Sequence, residues 1–198
     1  MMRSFALTGS VAAGKSTVGA LFREWGATVI DMDVLVRELQ RKGEPVFNAI
    51  VTGFGPEVLD RHGELDRRAL RRRILASPDA RRRLEAIVHP AVEVRRRELL
   101  AAARARGDLI VIADVPLLFE AGDPSAYDGV IVVDAPANVR RRRLMEHRGF
   151  DDREADMLIA AQLPAEQKRA RATWIIDNDG DREKLTHRAR EVWKALEH

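Results

Sequence analysis

A chain of 198 residues has room for one sizeable core and a small insertion. At 45% hydrophobic and 33% charged it reads as globular, and no apolar run approaches the ~20 residues of a membrane span. The lack of cysteine excludes disulfide scaffolds, thiolate metal sites and cysteine nucleophiles, and a net charge of +3 suits an anionic small substrate.

The opening MMRSFALTGS holds too little apolar sequence for a signal peptide, so a cytoplasmic protein is expected. Short apolar runs then alternate with helical patterns. Strands are predicted at residues 5–8, 28–31, 109–114, 129–134 and 173–177. Helices are predicted at 15–25, 34–41, 67–76, 78–106, 138–147, 151–162 and 181–196. The unbroken Val/Ile content of LIVIAD and GVIVVD points to strands covered on both faces. The alternation predicts an α/β fold built on a five-stranded parallel sheet. Some 75 residues between the second and third strands carry no strand signal, far more than a crossover needs, and read as a helical insertion. Arginine runs at 71–73, 81–83, 95–97 and 140–143 offer a nucleic-acid reading. Consecutive helical residues lie ~100° apart, however, so such runs ring a helix, and the interspersed Glu and Asp describe solvated helix surface.

Directly after the first strand, residues 9–16, GSVAAGKS, match G-x-x-x-x-G-K-[ST] without a mismatch. Backbone N–H groups left unpaired at a helix start cradle phosphate oxygens, and glycines let the chain turn and approach closely. Ser10, Val11, Ala12, Ala13, Gly14, Lys15, Ser16 and Thr17 are therefore the candidate contacts to ATP. Lys15 would reach the β and γ phosphates, and the Ser16 hydroxyl would coordinate Mg2+. A plain tight turn at Gly9 and Gly14, capped by Ser10, leaves the lysine and serine unexplained. The guanine-reading N-K-x-D is absent, and the D-x-x-G matches at 60–63 and 177–180 do not follow a strand in the switch-region position. A small kinase is what remains.

In VIDMD, Asp31 and Asp33 follow the second strand at the edge where open α/β sheets bind ligands. In extended chain, i and i+2 point to one side, so both could face a cleft and one could accept a hydroxyl proton. Asp33 fits equally as the N-cap of a helix beginning at Val34. Asp114 could hold Mg2+ through water, or cap the turn before Pro116.

Taken together, LTGSVAAGKST, VIDMD, GELDRRAL, VHPAV, DVPLLFEAG and WIIDNDG, in this order along the chain, resemble the dephospho-CoA kinases. His-Pro and PLLFE at this spacing are more specific than the phosphate loop. The resemblance implies a P-loop kinase core (1–33, 107–137 and 172–198), a helical acceptor-binding insertion (34–106) and a lid (138–171). It implies transfer of the ATP γ-phosphate to the 3′-hydroxyl of dephospho-CoA, the last step of coenzyme A synthesis. Asp33 would be the base, with Lys15 and Arg140 as cations at the transferred group. Thr8, Arg67, His89, Pro116, Leu117 and Glu120 would lie on the acceptor side, with Glu120 bonding a backbone group or the pantetheine, and Asn178 would lie against adenine. Arginine expected three residues after Leu144 arrives one later, at Arg148, with His147 in its place. The competing readings are a kinase for shikimate or a nucleoside monophosphate, or a nucleotide-gated nucleic-acid binder. A monomer or weak oligomer with small-molecule partners only, no nucleic acid and no membrane, is expected.

Overall fold

Five strands, β1 (Arg3–Gly9), β2 (Thr28–Asp31), β3 (Ile110–Asp114), β4 (Gly129–Asp134) and β5 (Trp174–Asp177), form one all-parallel sheet in the order β2-β3-β1-β4-β5. This is seen in a computed structural model that describes all 198 residues. Successive side chains of a strand enter opposite layers. Phe5 and Leu7 join Ile131, Val133 and Ile176 on one face, while Ala6 joins Val130 and Val132 on the other. Both faces are thus apolar, which is why these strands read as unbroken Val/Ile runs. The first face is covered by α1 (Lys15–Glu24), through Val18 and Phe22, and by α10 (Arg182–Leu196), through Leu185, Trp193 and Leu196. The second is covered by Leu118 and Phe119 of α6 (Leu118–Ala121).

The chain divides into two units, one of Met1–Asp31 with Ala103–His198 and the other of Met32–Ala102. The smaller unit is helical: α2 (Met32–Leu39), α3 (Pro45–Phe54), α4 (Arg67–Ala76) and most of α5 (Pro78–Arg106). Its core gathers Val46, Ile50 and Phe54 of α3, spaced four apart on one face, with Val58, Leu70 and Val88. The predicted pattern omits α3. Thr52, Gly53 and the β-branched residues weaken its propensity, and burial of its apolar face outweighs them. Pro45 at its first turn needs no N–H partner. Asp66 caps α4 by accepting the Arg68 and Ala69 N–H groups. The arginine runs of α5 are met by neighbours on the same helix, Arg81 by Glu85, Arg95 by Glu98, and Arg96 and Arg97 by Glu93. The Glu93 carboxyl sits below its ordinary pKa, chiefly through the Arg96 hydrogen bond.

In the larger unit, α7 (Ala137–Arg148), α8 (Asp152–Ala160) and α9 (Ala165–Ala170) lie between β4 and β5 in sequence. The four arginines at 140–143 point different ways. Arg140 is buried, Arg141 pairs with Asp152 and Asp156, Arg142 is exposed, and Arg143 turns to the loop after β1. The helix runs one residue past its expected end, includes Arg148 and stops at Gly149, whose φ of 68° is left-handed. No helix is long and apolar enough to cross a membrane.

Candidate active site

The chain turns from β1 to β2 and β3 on one side and later to β4 and β5 on the other. A reversal of strand order opens a crevice at the carboxyl end of the strand where it occurs. The residue 9–16 segment begins there. A side chain at Gly9 would put Cβ 2.3 Å from the Val133 carbonyl oxygen, so only glycine lets β1 leave the sheet beside β4. Gly14 has φ 100°, and a Cβ there would stand 2.2 Å from Asn178 Nδ2. Ala12, at φ 58°, is the one non-glycine residue of the chain with positive φ, a conformation that disfavours any Cβ. The Ala13 N–H donates to Ser10 O at 3.0 Å, closing the turn, and α1 starts at Lys15 with the Thr17 and Val18 N–H groups on Gly14 O.

The Lys15 ammonium pairs with Asp114, the last residue of β3, which lies in register with Leu7 of β1 and Asp31 of β2. The Ser16 hydroxyl is exposed on the first turn of α1. Thr8 is fully buried and its hydroxyl donates to Pro116 O at 3.3 Å, tying β1 to the PLLFE segment. In that segment Leu118 and Phe119 are core, Leu117 is half exposed, and Glu120 turns inward. Glu120 accepts the Leu163 N–H at 3.3 Å and meets the Lys168 ammonium.

Two side chains brace the loop. Asn178 is buried, its Nδ2 donates to Ala13 O at 2.7 Å, and its Oδ1 accepts from Arg143 at 3.1 Å. Its amide is thus committed within the protein, and it supports the loop instead of presenting a free side chain to a base. Arg143 also reaches Ala12 O and Ala13 O. Burial, then the charge of Arg142, holds its pKa below the usual guanidinium value. Arg140 is different: its Nε donates to Ala135 O at 2.9 Å and no carboxylate pairs with it, though it is 6% exposed. A buried guanidinium without an anion is costly. Arg169 bridges Asp134 and Asp177 at the ends of β4 and β5, and its pKa is raised, chiefly by the hydrogen bond to Asp177.

Asp33, Arg67 and His89 belong to the smaller unit, and all three are exposed. Helix α2 begins at Met32, two residues earlier than expected, so Asp31 ends the strand and Asp33 lies inside the first helical turn. The i, i+2 alternation of extended chain therefore does not apply to this pair, and Asp33 is not an N-cap. His147 and Arg148 are exposed at the end of α7. Sequence reasoning passed over Arg143, which nothing in an unbroken arginine run distinguishes from its neighbours. It also passed over Gln162, whose Oε1 accepts the Val11 N–H at 2.7 Å.

The model of the dephospho-CoA kinase family matches residues 3–184. A dephospho-CoA kinase of Anaeromyxobacter dehalogenans is 47% identical over 188 residues, covering 95% of this chain and 89% of that one. Among solved structures, a Thermus thermophilus protein superposes with a TM-score of 0.83 at 36% identity, covering 98% and 97% of the two chains. A dephospho-CoA kinase from Campylobacter jejuni shares the fold at a TM-score of 0.72 and 22% identity, over 99% and 98%. By sequence match over nearly its whole length, the chain belongs to the dephospho-CoA kinase family.

Proposed function

We propose that the chain transfers the γ-phosphate of ATP to the 3′-hydroxyl of dephospho-CoA, with the residue 9–16 loop as cradle, Asp33 as base and Arg140 as the cation at the moving group. The observation that carries this reading is the loop itself, turned by Gly9 and left-handed Gly14, with Lys15 held beside Asp114 at the sheet's switch point.

Phosphoryl transfer runs through a loose transition state, so the protein's work is positioning and charge neutralisation. The unpaired loop amides and Lys15 bind the β and γ phosphates within a contact segment that runs from Ser10 to Thr17, the Val11 N–H being held by Gln162 and the Ala13 N–H by Ser10 O. The Lys15–Asp114 pair sets the ammonium in place before nucleotide arrives. Arg140, buried with no carboxylate partner, gains its counter-charge when the phosphoryl oxygens come within reach. Asp33 accepts the hydroxyl proton as the new P–O bond forms, since an alcohol cannot lose it early. The exposed Ser16 hydroxyl and the Asp114 carboxylate are hard oxygen ligands of the kind Mg2+ takes, and they are the residues that would hold it. When bound there, the ion would neutralise phosphate charge.

Arg67 serves the acceptor's anionic groups, His89 orients a loop on that side, Pro116 and Leu117 line the pocket, and Thr8 supports that lining from beneath through its bond to Pro116 O. Glu120 acts on that side by bonding the Leu163 backbone N–H, and the turn at Asn178 borders adenine. The arginine runs of α5 are largely matched by carboxylates on the same helix, which favours small-molecule partners over nucleic acid. A coupled ADP-release assay with dephospho-CoA, shikimate and AMP as acceptors tests the assignment. Turnover is expected with dephospho-CoA alone. Faster turnover with either other acceptor would refute it.

A further inference from the structure

Lysine is costly to bury, yet Lys168 on α9 is 1% exposed. Its Nζ lies 2.8 Å from Glu120 Oε1, off the hydrogen-bond axis, and Glu120 Oε2 is buried without a partner. A buried ion pair is weak grounds for stability, so what this one holds in place matters more than its own energy. The same Glu120 Oε1 takes the Leu163 N–H. Leu163 sits in the short turn joining α8 to α9, followed by Pro164, which has no N–H to offer. The residue before Leu163 is Gln162, whose carboxamide oxygen receives the Val11 N–H of the phosphate loop.

We propose that Gln162 is a positioning residue for the phosphate loop, its carboxamide oxygen orienting the Val11 peptide while the Lys168–Glu120 pair fixes the turn that carries it. The proposal rests on the reading that this loop holds ATP. A carboxamide suits the task better than a carboxylate: it accepts the same hydrogen bond without placing a negative charge beside a triphosphate.

The test uses the full chain, with steady-state kinetics and amide hydrogen exchange on the ligand-free protein. Gln162→Leu keeps the volume and removes the acceptor. It should raise KM for ATP about tenfold, leave KM for dephospho-CoA unchanged, and speed exchange at the Val11 amide. Gln162→Glu should restore slow Val11 exchange without restoring the ATP KM, because its charge opposes the triphosphate. The double variant Lys168→Met/Glu120→Gln removes both charges together. It should raise the ATP KM and speed Val11 exchange, both non-additively with Gln162→Leu; its acceptor KM is not a readout, because Glu120 also lies on the acceptor side. An unchanged ATP KM in Gln162→Leu, or a parallel rise in both KM values, would overturn the proposal. Lys15→Ala, measured alongside, separates the two levels: if it retains turnover the loop reading itself fails, whereas if it is inactive a silent Gln162→Leu sinks only the role of Gln162.

Discussion

Replacing Gly14 by alanine tests how tightly the loop is built, because two costs fall on one atom. The residue stands at φ 100°, where any L side chain is strained by about 1–2 kcal/mol. The new Cβ would also lie 2.2 Å from Asn178 Nδ2, so the amide must move and lose its bond to Ala13 O, worth about 1 kcal/mol. The sum is about 2–3 kcal/mol, or roughly 4–12 °C in Tm for a chain of this size. The assay is a double-mutant cycle in thermal or urea unfolding. In an Asn178→Ala background the clash and the bond are both gone, and Gly14→Ala should then cost only the backbone strain, about 1–2 kcal/mol. Equal costs in the two backgrounds would show that Asn178 does not press on the loop, and the bracing role assigned to it would fail.

Lys15→Ala should abolish phosphoryl transfer while leaving the fold intact, as read by activity beside circular dichroism; wild-type turnover would contradict the loop assignment. Arg140→Met should lower kcat about 10²–10³-fold, the scale for removing one charge-stabilising donor. Because no carboxylate pairs with Arg140, the apolar replacement should leave Tm unchanged or raised. A kcat within twofold of wild type would move the role elsewhere.

The sheet was legible because its signal is local and strong. A parallel strand covered on both faces must be apolar throughout, and GVIVVD begins and ends where the fully buried β4 does; the edge strand β2, only partly buried, still coincides with TVID. The phosphate loop was legible for a different reason: its glycines answer backbone demands, Gly9 against Val133 and Gly14 against Asn178, that no other residue meets. Helix α3 was hidden because its stability comes from Val46, Ile50 and Phe54 packing into a core, which propensity does not register. The four-residue α6 and six-residue α9 are too short to carry a period of 3.6. At the site, Asp33 was visible as a residue but not in its setting, since the start of α2 at Met32 depends on packing of Met32 and Leu35. Arg143, Gln162 and the Lys168–Glu120 pair act through contacts between segments far apart in sequence, and single-chain spacing holds no trace of such pairings.

Transfer to an alcohol requires an acceptor for its proton, so the kinetics of Asp33→Asn test the account most directly. The change keeps shape and removes only the proton-accepting charge. With γ-labelled ATP and dephospho-CoA, kcat for formation of the labelled 3′-phosphomonoester should fall about 10²–10⁴-fold, with the acceptor KM nearly unchanged. A normal kcat with a raised acceptor KM would mean that Asp33 only positions the substrate, and the proposed proton transfer would be wrong.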